Sequence, residues 1–259
     1  MNQWINALLR IGYRQWTILN AALLFYTCIP IPQQWPVAFE QIAVVLPFIG
    51  LGIGGLLAGL DLSLGLPLFL RSTLIVLAWV WLTGGLHLDG AIDTADGLAV
   101  QDKRRRLQVM SDSRTGAFGV MAAISILLLK TAALATIIHN RWFALISAAV
   151  WGRWGQQWAI ASYPYAKPKG KGAFHKQALP SRWHTLPCAL GLAILTVLVA
   201  TLGWVPWRAA VIAIGVGIFT AWVLATWLHQ RFGGHTGDTY GAMVEWIEVF
   251  VLVSLASIH

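Results

Sequence analysis

Ser72-Thr73-Leu74-Ile75-Val76-Leu77-Ala78-Trp79-Val80-Trp81-Leu82-Thr83-Gly84-Gly85-Leu86-His87-Leu88-Asp89-Gly90-Ala91-Ile92-Asp93-Thr94-Ala95-Asp96-Gly97 runs from an apolar segment straight into three carboxylates. The first half is too apolar to be anything but a membrane span. In the second half Asp89, Asp93 and Asp96 stand at i, i+4 and i+7, so a helix carries them on one face. No Lys or Arg stands three or four residues from any of them. Either they crown a solvated helix end or their repulsion is relieved by a bound cation. Gly90 and Gly97 favour the second reading, because glycine weakens a helix unless its backbone must approach something closely. A hard divalent ion with oxygen ligands, Mg²⁺ above all, suits three carboxylates and arrives with a substrate's phosphates. The stretch therefore points to metal-assisted chemistry on a phosphorylated substrate at a membrane surface.

Composition extends that reading to the whole chain. Of 259 residues, 58% are hydrophobic and 11% charged, and mean hydropathy is +0.67. A soluble domain carries roughly 25% charged residues, so a soluble globular class is excluded. The 15 tryptophans fit membrane–water interfaces, where Trp concentrates. A net charge of +8 would suggest nucleic acid in a soluble protein; here topology and phosphate binding account for it, and no nucleic-acid partner is expected. Cys28 and Cys188 form no motif and read as small buried apolar residues. Arg10 and Arg14 interrupt the first apolar run and no clean small-residue cleavage site follows, so no secretory signal is read there.

A span needs about 20 apolar residues. Runs near 41–60, 72–86, 119–138, 142–162, 187–205, 208–228 and 243–258 meet or approach that length, while 4–27 carries two arginines and reads as interfacial or crossing. The expectation is an all-α, polytopic membrane helix bundle of six or seven spans, with residues 1–259 as a single catalytic domain. If 87–118 faces the cytoplasm, then 13 of the 18 Lys and Arg fall on that side, among them Lys103 to Arg106, Arg114, Lys167, Lys169 and Lys171. Only Arg71, Lys130, Arg141 and Arg208 fall opposite, with Arg153 inside a span. This is the asymmetry the positive-inside rule demands. The loops 87–118, 163–185 and 229–241, richest in unusual polar residues, all share the cytoplasmic side.

The acids are equally biased: eight of ten lie in two segments, with only Glu40 and Asp61 elsewhere. Asp238, Glu245 and Glu248 are offset by seven and three, again one helical face. Glu245 and Glu248 sit in an apolar run, where ionisable groups are costly and usually functional; snorkelling acids at an interfacial helix start are the alternative. We expect Asp89, Asp93 and Asp96 to hold a cation, and Asp238, Glu245 and Glu248 to face a cavity or a partner. Gly233 to Asp238 reads as a glycine-rich loop whose Gly234, Thr236 and Gly237 amides face phosphate. Asp112 and Lys167 join them as substrate-binding candidates. Arg114 suits bidentate neutralisation of phosphate charge, and Arg153, inside an apolar stretch, needs a carboxylate or phosphate partner. His87 is open between general base, ligand and interfacial histidine. His175, His184, His229 and His235 lack paired ligand spacing, so no zinc site is expected.

Taken together, these motifs resemble the cobalamin synthase family, adenosylcobinamide-GDP ribazoletransferase. The resemblance rests on Gly84–Leu98, Met110–Gly119, the Gly152-Arg153 region with the Tyr165–Gly172 loop, and Gly233–Glu248, in that order and across nearly the whole chain. Two positions depart from the family's usual pattern: Leu88 stands where Glu is common, and Cys28 where Arg is frequent. The resemblance implies the last assembly step of adenosylcobalamin. A ribose hydroxyl of α-ribazole, or of its 5′-phosphate form, attacks the cobinamide-side phosphorus of adenosylcobinamide-GDP, and GMP leaves. Positioning and charge neutralisation dominate such chemistry. On this reading Asp89, Asp93 and Asp96 hold Mg²⁺, Arg114 and Arg153 neutralise charge, Asp238, Glu245 and Glu248 bind a second metal or orient the nucleophile, and His87 or an acid takes the proton. The implied partners are the two small-molecule substrates and the bilayer of a bacterial plasma (inner) membrane, with the active site facing the cytoplasm. Homo-oligomers and association with other cobalamin-assembly enzymes are both compatible. Two rivals remain: a CDP-alcohol phosphatidyltransferase, whose Asp-Gly…Ala-Arg spacing this chain lacks, and an ion or metabolite transporter, which would place its acids at the midplane rather than at one surface.

Overall fold

The computed structural model describes residues 2–167 and 173–258; Lys169, Lys171 and the end of the Tyr165–Gly172 motif lie outside the described residues. Eleven α-helices are described: α1 (Asn2–Tyr26), α2 (Leu46–Ser63), α3 (Leu68–Leu82), α4 (Leu86–Ala99), α5 (Lys103–Val109), α6 (Ala117–Thr136), α7 (Arg141–Ser162), α8 (Ala173–Ala178), α9 (Leu186–Thr201), α10 (Trp207–Phe232) and α11 (Gly237–Ala256). A 3₁₀ turn at Phe39–Val45 leads into α2, and another at Arg182–Thr185 leads into α9. The fold is an all-α, multi-pass membrane bundle. Among the described residues, five continuous helical segments are long and apolar enough to cross a membrane, and the bent pair α3–α4 makes a sixth.

The run 142–162, expected as a membrane span, becomes α7 and does not reach that apolarity. Its surroundings explain why: residues 147–157 are all buried, enclosed by α2, α10 and α11. A helix walled by protein can carry Arg153, Gln156 and Gln157, because neighbours rather than lipid satisfy them. Gln157 donates to the carbonyls of Ala43 and Val44 at 3.1 and 2.9 Å. Close contact with α2 comes from small residues: a Cβ at Gly50 would lie 2.6 Å from the Ala149 carbonyl oxygen, and one at Gly54 2.6 Å from Ile146 Cα. This is how membrane helices gain packing when lipid offers no hydrophobic drive. On the periphery the logic reverses. In the segment Arg182–Thr201 only 17% of the apolar window is buried, and Trp183 and Trp204 stand exposed near its two ends, at interfacial positions.

The apolar run quoted above ends at two glycines in the left-handed region, Gly84 (φ 61) and Gly85 (φ 70), a conformation glycine alone adopts freely. Their amides close α3 by donating to Trp81 and Val80, and α4 departs at 88°. The carboxylate-bearing helix is thus turned across the end of the span that precedes it.

Two buried ion-pair groups lock the bundle. Toward one end, Arg141 donates to both Asp61 oxygens at 2.9 and 2.6 Å and to Ser72 at 3.2 Å, while Arg71 lies 3.4 Å from the same carboxylate. In the interior, Lys130 of α6 donates to Glu245 at 2.6 Å and also to Glu248 of α11, which accepts from Arg153 of α7 as well. The Lys130 ammonium further sits 4.7 Å from the Trp79 ring centroid. Two cations and two anions, all at most 4% exposed by side chain, close on one another without net charge. The expected cysteine burial does not hold: Cys28 is exposed and Cys188 partly so, both as free thiols.

Candidate active site

The site is built where α4 crosses α11. A Cβ at Gly90 would stand 2.6 Å from the Asp238 carbonyl oxygen, and one at Gly241 2.9 Å from the His87 carbonyl oxygen. The glycines in the two acidic motifs thus let their backbones touch. Asp238, at the second position of α11, comes beside the α4 face, where Asp93 feels the charges of Asp89, Asp238 and Asp96 together. Asp89 is exposed, and Asp93, Asp96 and Asp238 are half-buried.

Loop contacts draw the remaining motifs in. Lys167 donates to Ser111 at 3.1 Å and lies 3.9 Å from an Asp238 carboxylate oxygen, so one ammonium joins the first, second and third polar loops. Tyr165 and His235 pair as a single parallel bridge, with Ala166 N donating to the His235 carbonyl and His235 N to the Pro164 carbonyl. Arg106 ties the first loop to the third by donating to the Val100 and Arg231 carbonyls. Asp96 accepts from the Gly116 and Gly119 amides at 2.7 and 2.8 Å, so a carboxylate on α4 caps the N-terminus of α6. Asp112 and Arg114 pair with each other at 2.7 Å, and that guanidinium holds the Asp112 carboxyl below its usual range. Arg114 is 88% exposed by side chain.

Beneath the acidic face lies a cavity of about 450 Å³, with Asp89, Lys167, Gly237 and Asp238 on its wall beside Tyr26, His87, Gln156 and Tyr240. Tyr26, His87 and Tyr240 are each 2% exposed and Gln156 4%. The Tyr26 and Tyr240 hydroxyls, both His87 ring nitrogens and Gln156 Oε1 have no hydrogen-bond partner in the protein. Buried polar groups are normally satisfied, so several unsatisfied ones around one cavity mark a place where a ligand supplies the partners.

Several candidates from the sequence are placed elsewhere. Glu245 and Glu248, expected to hold metal, are occupied by Lys130 and Arg153 inside the bundle. Arg153, read as needing a carboxylate or phosphate partner, is 1% exposed and has found the carboxylate of Glu248, away from the cavity wall. The glycine-rich loop is not a continuous phosphate cradle, since the amides of Gly233, His235 and Thr236 go to protein acceptors. Gly234 serves close approach, a Cβ there falling 2.8 Å from the Pro164 carbonyl oxygen. Thr236 forms a capping box with Thr239 at the start of α11. Gly237 does line the cavity. His235 is fully buried, and burial holds its imidazole down to about 4; burial also lowers His175 to about 4. Tyr26, Gln156, Tyr240 and Lys130 were not singled out in the sequence. For Lys130 there was a signal, a lone cation in a span opposite two carboxylates in another.

Among the described residues no three His, Cys, Asp or Glu side chains converge as a ready-made metal cage. Mg²⁺ does not require one, because it keeps several waters and takes one or two carboxylates plus substrate phosphates. A row of hard oxygen donors, facing the cavity mouth with Lys167 as the cation beside it, fits that requirement.

Comparison with known proteins covers the same stretch of chain. Residues 18–256 match the family described as cobalamin-5-phosphate synthase. A protein named adenosylcobinamide-GDP ribazoletransferase from Trichormus variabilis is 52% identical over 92% of this chain and 95% of its own length. Proteins of the same name from Synechococcus elongatus and Synechocystis sp. are 49% and 46% identical, over 92% and 94% of this chain and 96% and 98% of their own lengths. No solved structure matches. With the match running through all the motifs that meet at the α4–α11 crossing, the chain belongs to the cobalamin-5-phosphate synthase family.

Proposed function

We propose that the cleft between α4 and α11 carries out the adenosylcobinamide-GDP ribazoletransferase reaction with the help of Mg²⁺. An oxygen–phosphorus bond forms between a free ring hydroxyl of the ribose of α-ribazole, or of its 5′-phosphate, and the cobinamide-side phosphorus. The bond from that phosphorus to the bridging oxygen breaks, and GMP leaves with the electron pair. The observation that carries this reading is the meeting of Asp89 and Asp238, with Asp93 within reach of their charges, at a cavity walled by unsatisfied polar groups.

Mg²⁺ held there would supply positive charge to offset what develops on the pyrophosphate as the bond breaks. Asp89, Asp93 and Asp238 would hold it, while Asp96 keeps α4 and α6 in register through the Gly116 and Gly119 amides. Lys167 reaches the same mouth and suits the departing phosphate. Arg114 lies two residues from Gly116 on an exposed loop and exchanges Asp112 for a substrate oxygen. His87 lines the cavity with both ring nitrogens unpaired, which supports a contact with the acceptor hydroxyl and its proton.

The membrane orientation follows the cations. Three of the four on the side opposite the site (Arg71, Lys130 and Arg141) sit in ion pairs within the bundle, so the unpaired positive charge is more lopsided than the raw count. The positive-inside rule then supports a site facing the cytoplasm, and the bacterial relatives support an inner membrane. The test is GMP release by the protein in liposomes, given adenosylcobinamide-GDP and α-ribazole with and without Mg²⁺. Mg²⁺-dependent GMP release matched by cobalamin formation is the expected result. GMP release at the same rate in excess EDTA would overturn the metal assignment, and no release at all would overturn the reaction.

A further inference from the structure

We propose that the cavity beneath the acidic face is the binding pocket for the acceptor nucleoside, with Tyr26, Gln156 and Tyr240 as its recognition residues. The inference rests on the transferase reading, and it concerns which substrate the pocket takes and how. The two substrates differ greatly in size. A corrinoid carrying a nucleotide is several times too large for about 450 Å³, whereas a nucleoside of about twenty non-hydrogen atoms falls in the range that pockets of this size enclose. The corrinoid substrate must then lie outside, across the mouth, with only its pyrophosphate reaching Asp89, Asp238 and Lys167.

The wall chemistry suits a planar heteroaromatic base joined to a ribose. Phe25, Tyr26, Tyr165 and Tyr240 contribute rings, against whose faces and edges an aromatic base packs favourably. The Tyr26 and Tyr240 hydroxyls both donate and accept, and Gln156 Oε1 accepts; these groups are buried and unpartnered. Sugar hydroxyls, donors and acceptors at once, complement such a set. A phosphate would find no cation there, because Lys167 stands at the mouth with Asp238. Nor does Arg153, paired with Glu248, line the cavity. The nucleoside thus enters base-first and leaves the attacking ribose hydroxyl at the mouth, beside the carboxylates, where the pyrophosphate arrives.

The test uses Tyr26→Phe, Tyr240→Phe and Gln156→Met in the full-length protein, each removing polar atoms while nearly conserving shape. Initial rates are measured against each substrate in turn, and α-ribazole binding is measured separately by equilibrium dialysis. Loss of a hydrogen bond in a buried site should raise the KM for α-ribazole about tenfold per variant. The KM for adenosylcobinamide-GDP and the Mg²⁺ midpoint should stay within about twofold. An unchanged α-ribazole KM in all three variants, or a rise in the adenosylcobinamide-GDP KM in its place, overturns the pocket assignment while wild-type GMP release leaves the reaction standing. If the wild type releases no GMP, dialysis decides alone. Binding of α-ribazole that the three variants weaken would keep the pocket and remove the reaction, and absence of binding would remove both.

Discussion

Gly90 on α4 and Asp238 on α11 are in backbone contact: the position a Cβ would take at Gly90 is 2.6 Å from the Asp238 carbonyl oxygen and 3.0 Å from its Cα. The contact sets the depth at which the two acidic motifs meet, and with it the spacing of Asp238 from Asp89 and Asp93.

Gly90→Ala should therefore act on geometry before it acts on folding. Backbone cannot swing aside as a flexible side chain does, so the helices must separate, at about 1–3 kcal/mol. GMP release should fall at least about tenfold, since small displacements of reacting groups are costly, and thermal unfolding in detergent should shift down. Gly191→Ala in α9, where a Cβ meets nothing within 4 Å, should leave both unchanged.

Asp93 and Asp96 should separate by what they lose. With the proposed Mg²⁺ site, Asp93→Asn removes a ligand and relieves repulsion among like charges, so activity should drop about 100-fold with the melting temperature equal to or above that of the wild type. Asp96→Asn breaks a carboxylate cap on two amides of α6 and should also lower the melting temperature, the cost of a cap being about 1 kcal/mol. Parallel Mg²⁺ titrations and melting curves distinguish the two.

Lys130→Met leaves Glu245 and Glu248 sharing a dry interior with Arg153 alone. Removing one partner of a buried pair costs about 3–5 kcal/mol, so folded yield should collapse, and Lys130→Met with Glu245→Gln should recover much of it. If those glutamates instead held a metal, Lys130→Met would fold and bind Mg²⁺ more tightly, which a titration would reveal.

His235 gives the pH dependence a definite sign. Its folded value of about 4 lies below its ordinary 6.5, because full burial disfavours the charged imidazolium and the hydrogen bond to the Ala225 carbonyl offsets only part of that cost. The unfolded chain takes up the proton first as pH falls. The stabilising contribution is thus complete above 6.5, declines below it and is gone by about 4, a span of about 3 kcal/mol. Melting temperatures between pH 7 and 4 should fall more steeply for the wild type than for His235→Gln.

Much of the fold was legible because periodicity and apolarity are local. Asp89, Asp93 and Asp96 declared a shared face, and the loops holding Lys167 and Asp238 declared a shared side. What escaped depends on partners distant in sequence. Two carboxylates in an apolar run satisfy an ion-pair reading and a metal reading equally, until Lys130 is known to stand beside Glu245 and Glu248. Asp96 read as a ligand like its neighbours because nothing local announces that it caps a helix twenty residues on. Tyr26, Gln156 and Tyr240 are ordinary residues on buried helices, distinguished only by what they fail to bond.

The ion pairs inside the bundle also impose an order on biogenesis. Lys130 meets carboxylates 115 and 118 residues later in the chain, and Arg153 meets one 95 residues later. When α6 and α7 leave the ribosome, α11 has not been made, so both cations enter the membrane without their counter-charges. Until α11 arrives they must be shielded by water, by lipid headgroups or by the insertion machinery. The helix that delivers Asp238 to the catalytic mouth is the same one that discharges this debt. An assembly intermediate therefore stays electrically incomplete, and open to surveillance by membrane proteases, until the moment its active site can form.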